Sequence, residues 1–268
     1  MQAVKFAAAC LLFIFSALPL DATSITIDPA LFGHVDQADV TGCTSDSGIN
    51  NACGPTAITN SLVYLQNAFP SVYGSNLIPH QPGNTAYQDQ VAVADSLICY
   101  ITCSGNAGGT AIADFISGKQ SYFDTNAPNT TMIETMMIFG PNGMWPTFQW
   151  FFDQLSAGQD VEILVGYYDD MGVRKGGHYL TVNGVAFGIP FGLGMGTMGV
   201  IDPAGGVNKT LNLSTPMVGG AALYSSTYAN GFNTFIEAGV AESPIPEPST
   251  TYLLLVGTAI TILIRRRI

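Results

Sequence analysis

Charge is what this sequence has least of. Only 10% of its residues are Asp, Glu, Lys or Arg, and three of its eight basic side chains stand together just before the terminal Ile268. Against 19 acidic residues this leaves a formal net charge of −11 at pH 7. A chain so poor in cations cannot neutralise a phosphate backbone, which excludes nucleic acid as a partner. No internal repeat and no long low-complexity segment is present, which excludes a solenoid or an extended linker protein. Histidine occurs three times, and Cys99 and Cys103 have neither a nearby histidine nor a second cysteine pair, so the spacing does not make a zinc site. Asp153, Asp169 and Asp170 fall at a helix end and in a turn, which gives them ordinary roles. No metal and no cofactor is implied.

The two ends are where long apolar runs do occur. Lys5 precedes an apolar stretch over residues 6–20, followed by Asp21, Thr23 and Ser24, which is the order of a signal peptide. Cleavage after Ala17 or Ala22 suits the small residues there, and residues 1–22 are assigned to the signal. At the other end, residues 243–249 read SPIPEPS, an apolar run follows over 250–264, and Arg265, Arg266 and Arg267 close it. Prolines cannot continue a helix, so they set this tail apart from the domain before it. An apolar segment followed by arginines stops in a membrane with its end in the cytoplasm. The order Pro246-Glu247-Pro248-Ser249, apolar run and arginines resembles a PEP-CTERM sorting signal. That resemblance implies a Gram-negative host, an exosortase-type processing protease as partner, a transient inner-membrane anchor, and release to the envelope or extracellular matrix. Residues 243–268 form this tail, and 23–242 remain as one domain with a sizeable core.

Within that domain the first half reads as helical. Ile58, Leu62, Leu65 and Phe69 recur at helical spacing after Pro55 and before Pro70, predicting a helix from Cys53 with one buried face. Val91, Ala94, Ile98 and Ile101 mark a second helix, residues 111–116 a third, and residues 145–155 a fourth. The aromatic residues Trp145, Phe148, Trp150, Phe151 and Phe152 read as core with some cleft wall. The second half alternates instead. Strands are predicted over 161–168, 178–187, 198–201, 207–213 and 223–236, the last interrupted near Asn230-Gly231. Helices followed by antiparallel strands predict an α+β fold.

Three short segments carry chemistry. Asn51-Ala52-Cys53-Gly54-Pro55 places a thiol at a helix start, where backbone N–H groups and the helix dipole favour the thiolate. Gly54 would admit a substrate backbone. Gly176-Gly177-His178 puts an imidazole at the head of a strand, where it can serve as a general base beside a thiol. Ile201-Asp202-Pro203 ends the next strand with a carboxylate able to fix the imidazole tautomer. Structural readings of each alone, as a core cysteine, a strand histidine and a turn aspartate, weaken when the three occur in this order. Of the cysteines, Cys10 leaves with the signal. Cys53 is expected as a free thiol, with any disulfide drawn from Cys43, Cys99 and Cys103 in an oxidising compartment; Cys99 and Cys103 can meet only if the second helix ends between them, which favours Cys43 as partner for one.

Taken together these segments resemble the papain-like cysteine peptidases, in particular the C39-like group. The resemblance implies a helical half and an antiparallel sheet or barrel half meeting at a cleft, with Cys53 as nucleophile, His178 as base and Asp202 as orienting residue. A peptide or protein is then the substrate. Members carry a glutamine a few residues before the cysteine, whose amide binds the oxyanion. Here no glutamine stands there; Gln37 is the nearest upstream, and Asn50 and Asn51 are closer but have shorter arms. Transporter spans and a nucleotide-binding motif are absent, which separates this chain from peptidases fused to peptide exporters. Two functions follow: an exported cysteine peptidase or related amide hydrolase, or a catalytically inactive papain-like surface or matrix protein.

Overall fold

The computed structural model describes residues 23–42, 50–101, 103–104, 109–138, 144–187, 195–214, 224–225, 228–229 and 231–244. The expected signal peptide, Cys10, Cys43 and the tail from residue 245 onward lie outside them, as does the side chain of Cys103. Among the described residues no helix is long and apolar enough to cross a membrane.

Among the described residues the first part of the chain holds five α-helices: α1 (Cys53–Ala68), α2 (Pro70–Tyr73), α3 (Ala86–Leu97), α4 (Ile112–Asn126) and α5 (Phe148–Ser156). The first helix departs from expectation in one respect. Instead of burying one face, it buries every residue from Cys53 to Leu65. It therefore threads the middle of the domain, and two of its small polar residues, Thr59 and Asn60, take internal partners. Asn60 Oδ1 accepts from the Val35 N–H at 2.9 Å, and the Thr59 hydroxyl donates to the Pro55 carbonyl at 3.0 Å. Truncating a side chain such as Leu62 in this helix would cost about 2–5 kcal/mol. α3 starts earlier than its apolar spacing suggested, because Thr85 and Gln88 form a reciprocal capping box. It ends at Leu97, before Ile98 and Ile101 of the expected helix, so Cys99 and Cys103 both lie beyond it. α4 runs well beyond 116. α5 begins after Thr147, whose hydroxyl accepts from the Trp150 N–H at 3.1 Å.

The strands are β1 (Thr23–Thr26), β2 (Cys103–Ser104), β3 (Gly109–Thr110), β4 (Thr131–Met137), β5 (Asp160–Tyr168), β6 (Arg174–Phe187), β7 (Met195–Asp202), β8 (Val207–Ser214), β9 (Tyr224–Ser225) and β10 (Asn233–Pro244). β2 and β3 pair separately, and the others form one antiparallel sheet ordered β1-β6-β5-β10-β9-β8-β7, with β4 on β10 and a further β6–β7 pairing. That extra pairing curls the sheet back on itself. Return through β9 rests on one residue pair, Ser214 with Tyr224, so the sheet is curled rather than a closed barrel. The fold is thus α+β, helices packed on an antiparallel sheet. β10 runs to Pro244, into the segment read as linker.

Both faces of the central strands are covered, as their period of two reveals. Val161, Ile163 and Val165 of β5 and Leu180 and Val182 of β6 meet Trp150, Phe151 and Leu155 of α5. Leu164, Tyr179 and Ile201 face the other way, toward Ile58, Leu62 and Leu65 of α1. The junction of helices and sheet also holds charge. Lys119 of α4 is fully buried and pairs with Glu162 of β5 and, at 2.5 Å, with Glu242 of β10; Asp160 lies 3.6 Å away.

Candidate active site

The start of α1 is shaped by the residues before it. Asn50 Oδ1 accepts from the Ala52 N–H at 2.8 Å, an Asx turn that delivers the chain into its first helical residue, Cys53. Gly54 does not face a substrate: a Cβ there would stand 3.0 Å from the Thr110 hydroxyl and 3.2 Å from its Cβ. It is glycine so that β3 can pack on the helix start.

His178 is not at the head of its strand, because β6 begins at Arg174. Arg174 is drawn into the sheet by two hydrogen bonds to the buried Glu237, at 2.8 and 2.9 Å, which adds residues to the strand. Gly177 permits this packing, since a Cβ on it would lie 2.8 Å from the Val165 carbonyl. Across the β6–β7 ladder Thr181 pairs with Ile201, so Asp202 falls diagonally along the sheet from His178.

The three residues are brought together. His178 Nε2 lies 2.8 Å from Asp202 Oδ1, and the imidazole stands close enough to the Cys53 thiol for each to shift the other's ionisation. With Nε2 engaged by the carboxylate, Nδ1 is the nitrogen left for sulfur. Cys53 is only 8% exposed and His178 9% exposed. Burial pushes the Cys53 thiol up, but the hydrogen bond and positive charge of His178, with the backbone N–H groups of Tyr179 and Gly54, outweigh it and bring it below an ordinary thiol. Burial lowers His178, yet Asp202 and Cys53 together raise it to about 9. Opposite shifts of this kind favour a thiolate–imidazolium pair at neutral pH, which is the reactive form of such a couple.

Asp202 is bound by more than the sequence indicated. Its Oδ1 also accepts from the Ala204 N–H at 2.8 Å, while Oδ2 accepts from Lys209 Nζ at 2.7 Å and the Tyr228 hydroxyl at 2.8 Å. Burial alone would raise this carboxyl, but His178, Lys209 and the Ala204 N–H hold it well below the usual carboxylate range. Sequence reading missed Lys209 and Tyr228. The one available signal for Lys209 was its place just across the Asp202 turn in the next strand. Tyr228, beyond β9, gave none.

The oxyanion candidates separate. Both donor contacts of the Asn50 amide go to backbone, to the carbonyls of Gln37 at 2.6 Å and Val40 at 3.0 Å, so Asn50 builds the loop. Asn51 is half-buried beside Cys53. Gln37 is threaded between the two ends of the site. Its N–H donates to the Pro203 carbonyl at 2.8 Å next to Asp202, its carbonyl accepts from Asn50, and its side-chain oxygen is buried without a partner among the described residues.

Cys53 is free, as expected, and so is Cys99, which leaves Cys43 and Cys103 as the candidates for a disulfide; Cys43 and the Cys103 side chain lie outside the described residues. The expected aromatic core is present, with Trp150, Phe151, Phe148 and Phe152 in or against the cluster under α5. Trp145 tilts against Phe235 at 6.2 Å. The carboxylates of Asp160, Glu162 and Glu242 are close enough to share a cation, but Lys119 already supplies it.

No family model matches the chain, and no curated protein does. Among solved structures it is similar to the active wild-type interpain A cysteine protease of Prevotella intermedia. That likeness has a TM-score of 0.45 at 14% identity and covers 81% of this chain and 98% of the other.

Proposed function

We propose that this chain is a papain-like cysteine hydrolase of the C39-like kind that cleaves amide bonds in a peptide or protein. The observation that carries the reading is the contact of the Cys53 thiol with His178, whose far nitrogen lies 2.8 Å from Asp202. Cys53 is the nucleophile that attacks the scissile carbonyl, His178 passes the proton to the leaving amine, and Asp202 fixes the ring. Gln37, whose N–H is held by the Pro203 carbonyl beside Asp202, takes the part of the oxyanion glutamine together with the backbone N–H at the start of α1. The order of residues at the two ends supports export and exosortase processing, with a brief stay in the inner membrane before release to the envelope or matrix.

The test is hydrolysis of an unbiased peptide mixture by the mature domain, read by mass spectrometry. New termini should appear and vanish in Cys53→Ser, and Gln37→Ala should slow cleavage by about 10²–10³. Cleavage that persists in Cys53→Ser would overturn the assignment. The second reading, an inactive surface or matrix module, is favoured by one observation, the commitment of the Asn50 amide to backbone carbonyls. Binding of peptides without any cleavage would select it.

A further inference from the structure

Asp202 has more partners than an orienting carboxylate needs. Hydrogen bonds from His178 and the Ala204 N–H would be enough to fix it in the turn, yet Lys209 of β8 and Tyr228 both bind Oδ2. These two side chains also lie near each other and near the base. The Lys209 ammonium lies 5.8 Å from the centre of the Tyr228 ring, and that ring stands 6.4 Å from the imidazole at an interplanar angle of 25°. The arrangement joins a cation, a phenol and a carboxylate behind the His178–Cys53 pair.

We propose that Lys209 and Tyr228 are positioning residues that hold Asp202 as a charge-compensated anion, so that it orients His178 without locking the imidazole in its protonated form. The inference rests on the hydrolase reading above. A base that accepts the thiol proton must later release it to the leaving group, and an uncompensated buried carboxylate would hold that proton on the ring. The Lys209 ammonium opposes this in two ways: it shares the carboxylate charge, and it repels the imidazolium. The Tyr228 hydroxyl draws off charge through the same oxygen, and its ring lies roughly parallel to the imidazole. Other titratable groups bear on the pair. Cys53 faces His178 from α1, and Tyr167 of β5 packs its ring on Tyr228 at 6.3 Å. Tyr179 of β6 feels the Cys53 charge, with Arg174 and Glu237 beyond it. Asp36 accepts from the Gly205 N–H at 3.1 Å beside the Asp202 turn.

The test is the titration of the His178 imidazole by NMR in a Cys53→Ala background, where the thiolate no longer contributes. Lys209→Met should move the midpoint upward by roughly half to one pH unit, a range set by the partial exposure of the lysine. Lys209→Arg should restore it, and Tyr228→Phe should move it upward by less. A merely structural lysine would lower the melting temperature and leave the midpoint where it was; that result, or a downward shift, overturns the proposal. If Lys209→Met does not fold, Tyr228→Phe carries the test, since it removes one hydroxyl and keeps the ring. Because the nucleophile is absent, this outcome is separate from the peptide-cleavage result: failed cleavage in the native protein refutes the hydrolase, and an unmoved midpoint refutes the clamp.

Discussion

Two clusters of buried charge hold this domain together, and they solve the same problem in opposite ways. Around Asp202 every carboxylate oxygen is met by donors, and the cations His178 and Lys209 answer the anions Cys53 and Asp202. Around Lys119 one ammonium faces three carboxylates, all fully buried, and both oxygens of Asp160, both of Glu242 and one of Glu162 are without a hydrogen bond. The first cluster is balanced and keeps its charges. The second relieves its excess by holding protons: burial pushes Glu242 far above its ordinary value, with Glu162 adding to the effect. Burial likewise raises Asp160, to about 7. Charge at the first site is poised for chemistry, whereas at the second it fastens α4 to β5 and β10.

The largest break in this comparison should come from Lys119→Met. Removing the cation leaves the remaining buried negative charge with no counter-charge, which should cost about 3–5 kcal/mol, measured by urea denaturation. Next in size, His178→Ala should return Cys53 to an ordinary or raised thiol, slowing its alkylation near pH 7 by roughly tenfold or more. Smallest is the effect of Asp160→Asn, which sharpens the contrast through its pH dependence. Asp160 binds its proton more tightly folded than unfolded, so stability falls as pH rises from its ordinary 3.8 toward about 7 and levels above that. Melting temperatures of the native chain should decline through this window, and those of Asp160→Asn should decline less. At Asp202 the sign is reversed, since its folded value is depressed: its contribution is present at neutral pH and lost only on acidification.

Much of this was legible in the sequence because the relevant signals are local. A helix opening at Cys53, a strand holding His178, and Asp202 ending the next strand all follow from periodicity and turn residues. What was not legible depended on distant partners. β4 alternates weakly, since it lies at an edge of the sheet and exposes Met132 and Glu134, so its pairing with β10 was not visible. β1 is four residues long and makes sense only once β6 offers it an edge. Lys119 reads as a surface lysine on an amphipathic helix, because its three partners lie in strands far along the chain. On the oxyanion side, proximity in sequence draws attention to Asn50 and Asn51, while the backbone contact of Gln37 with the Pro203 carbonyl depends on a partner far along the chain.

Within one molecule, Cys53 and Cys99 give the most direct test that the balanced cluster activates a thiol. Both are free, but Cys99 is exposed and Cys53 is nearly enclosed. Accessibility alone therefore favours Cys99, and ionisation alone favours Cys53. Brief treatment of the native mature protein with iodoacetamide near pH 6, followed by peptide mapping, sets the two against each other. Cys53 should be alkylated first and by a wide margin. If Cys99 is modified while Cys53 stays intact, the His178–Asp202 arrangement does not make a thiolate nucleophile.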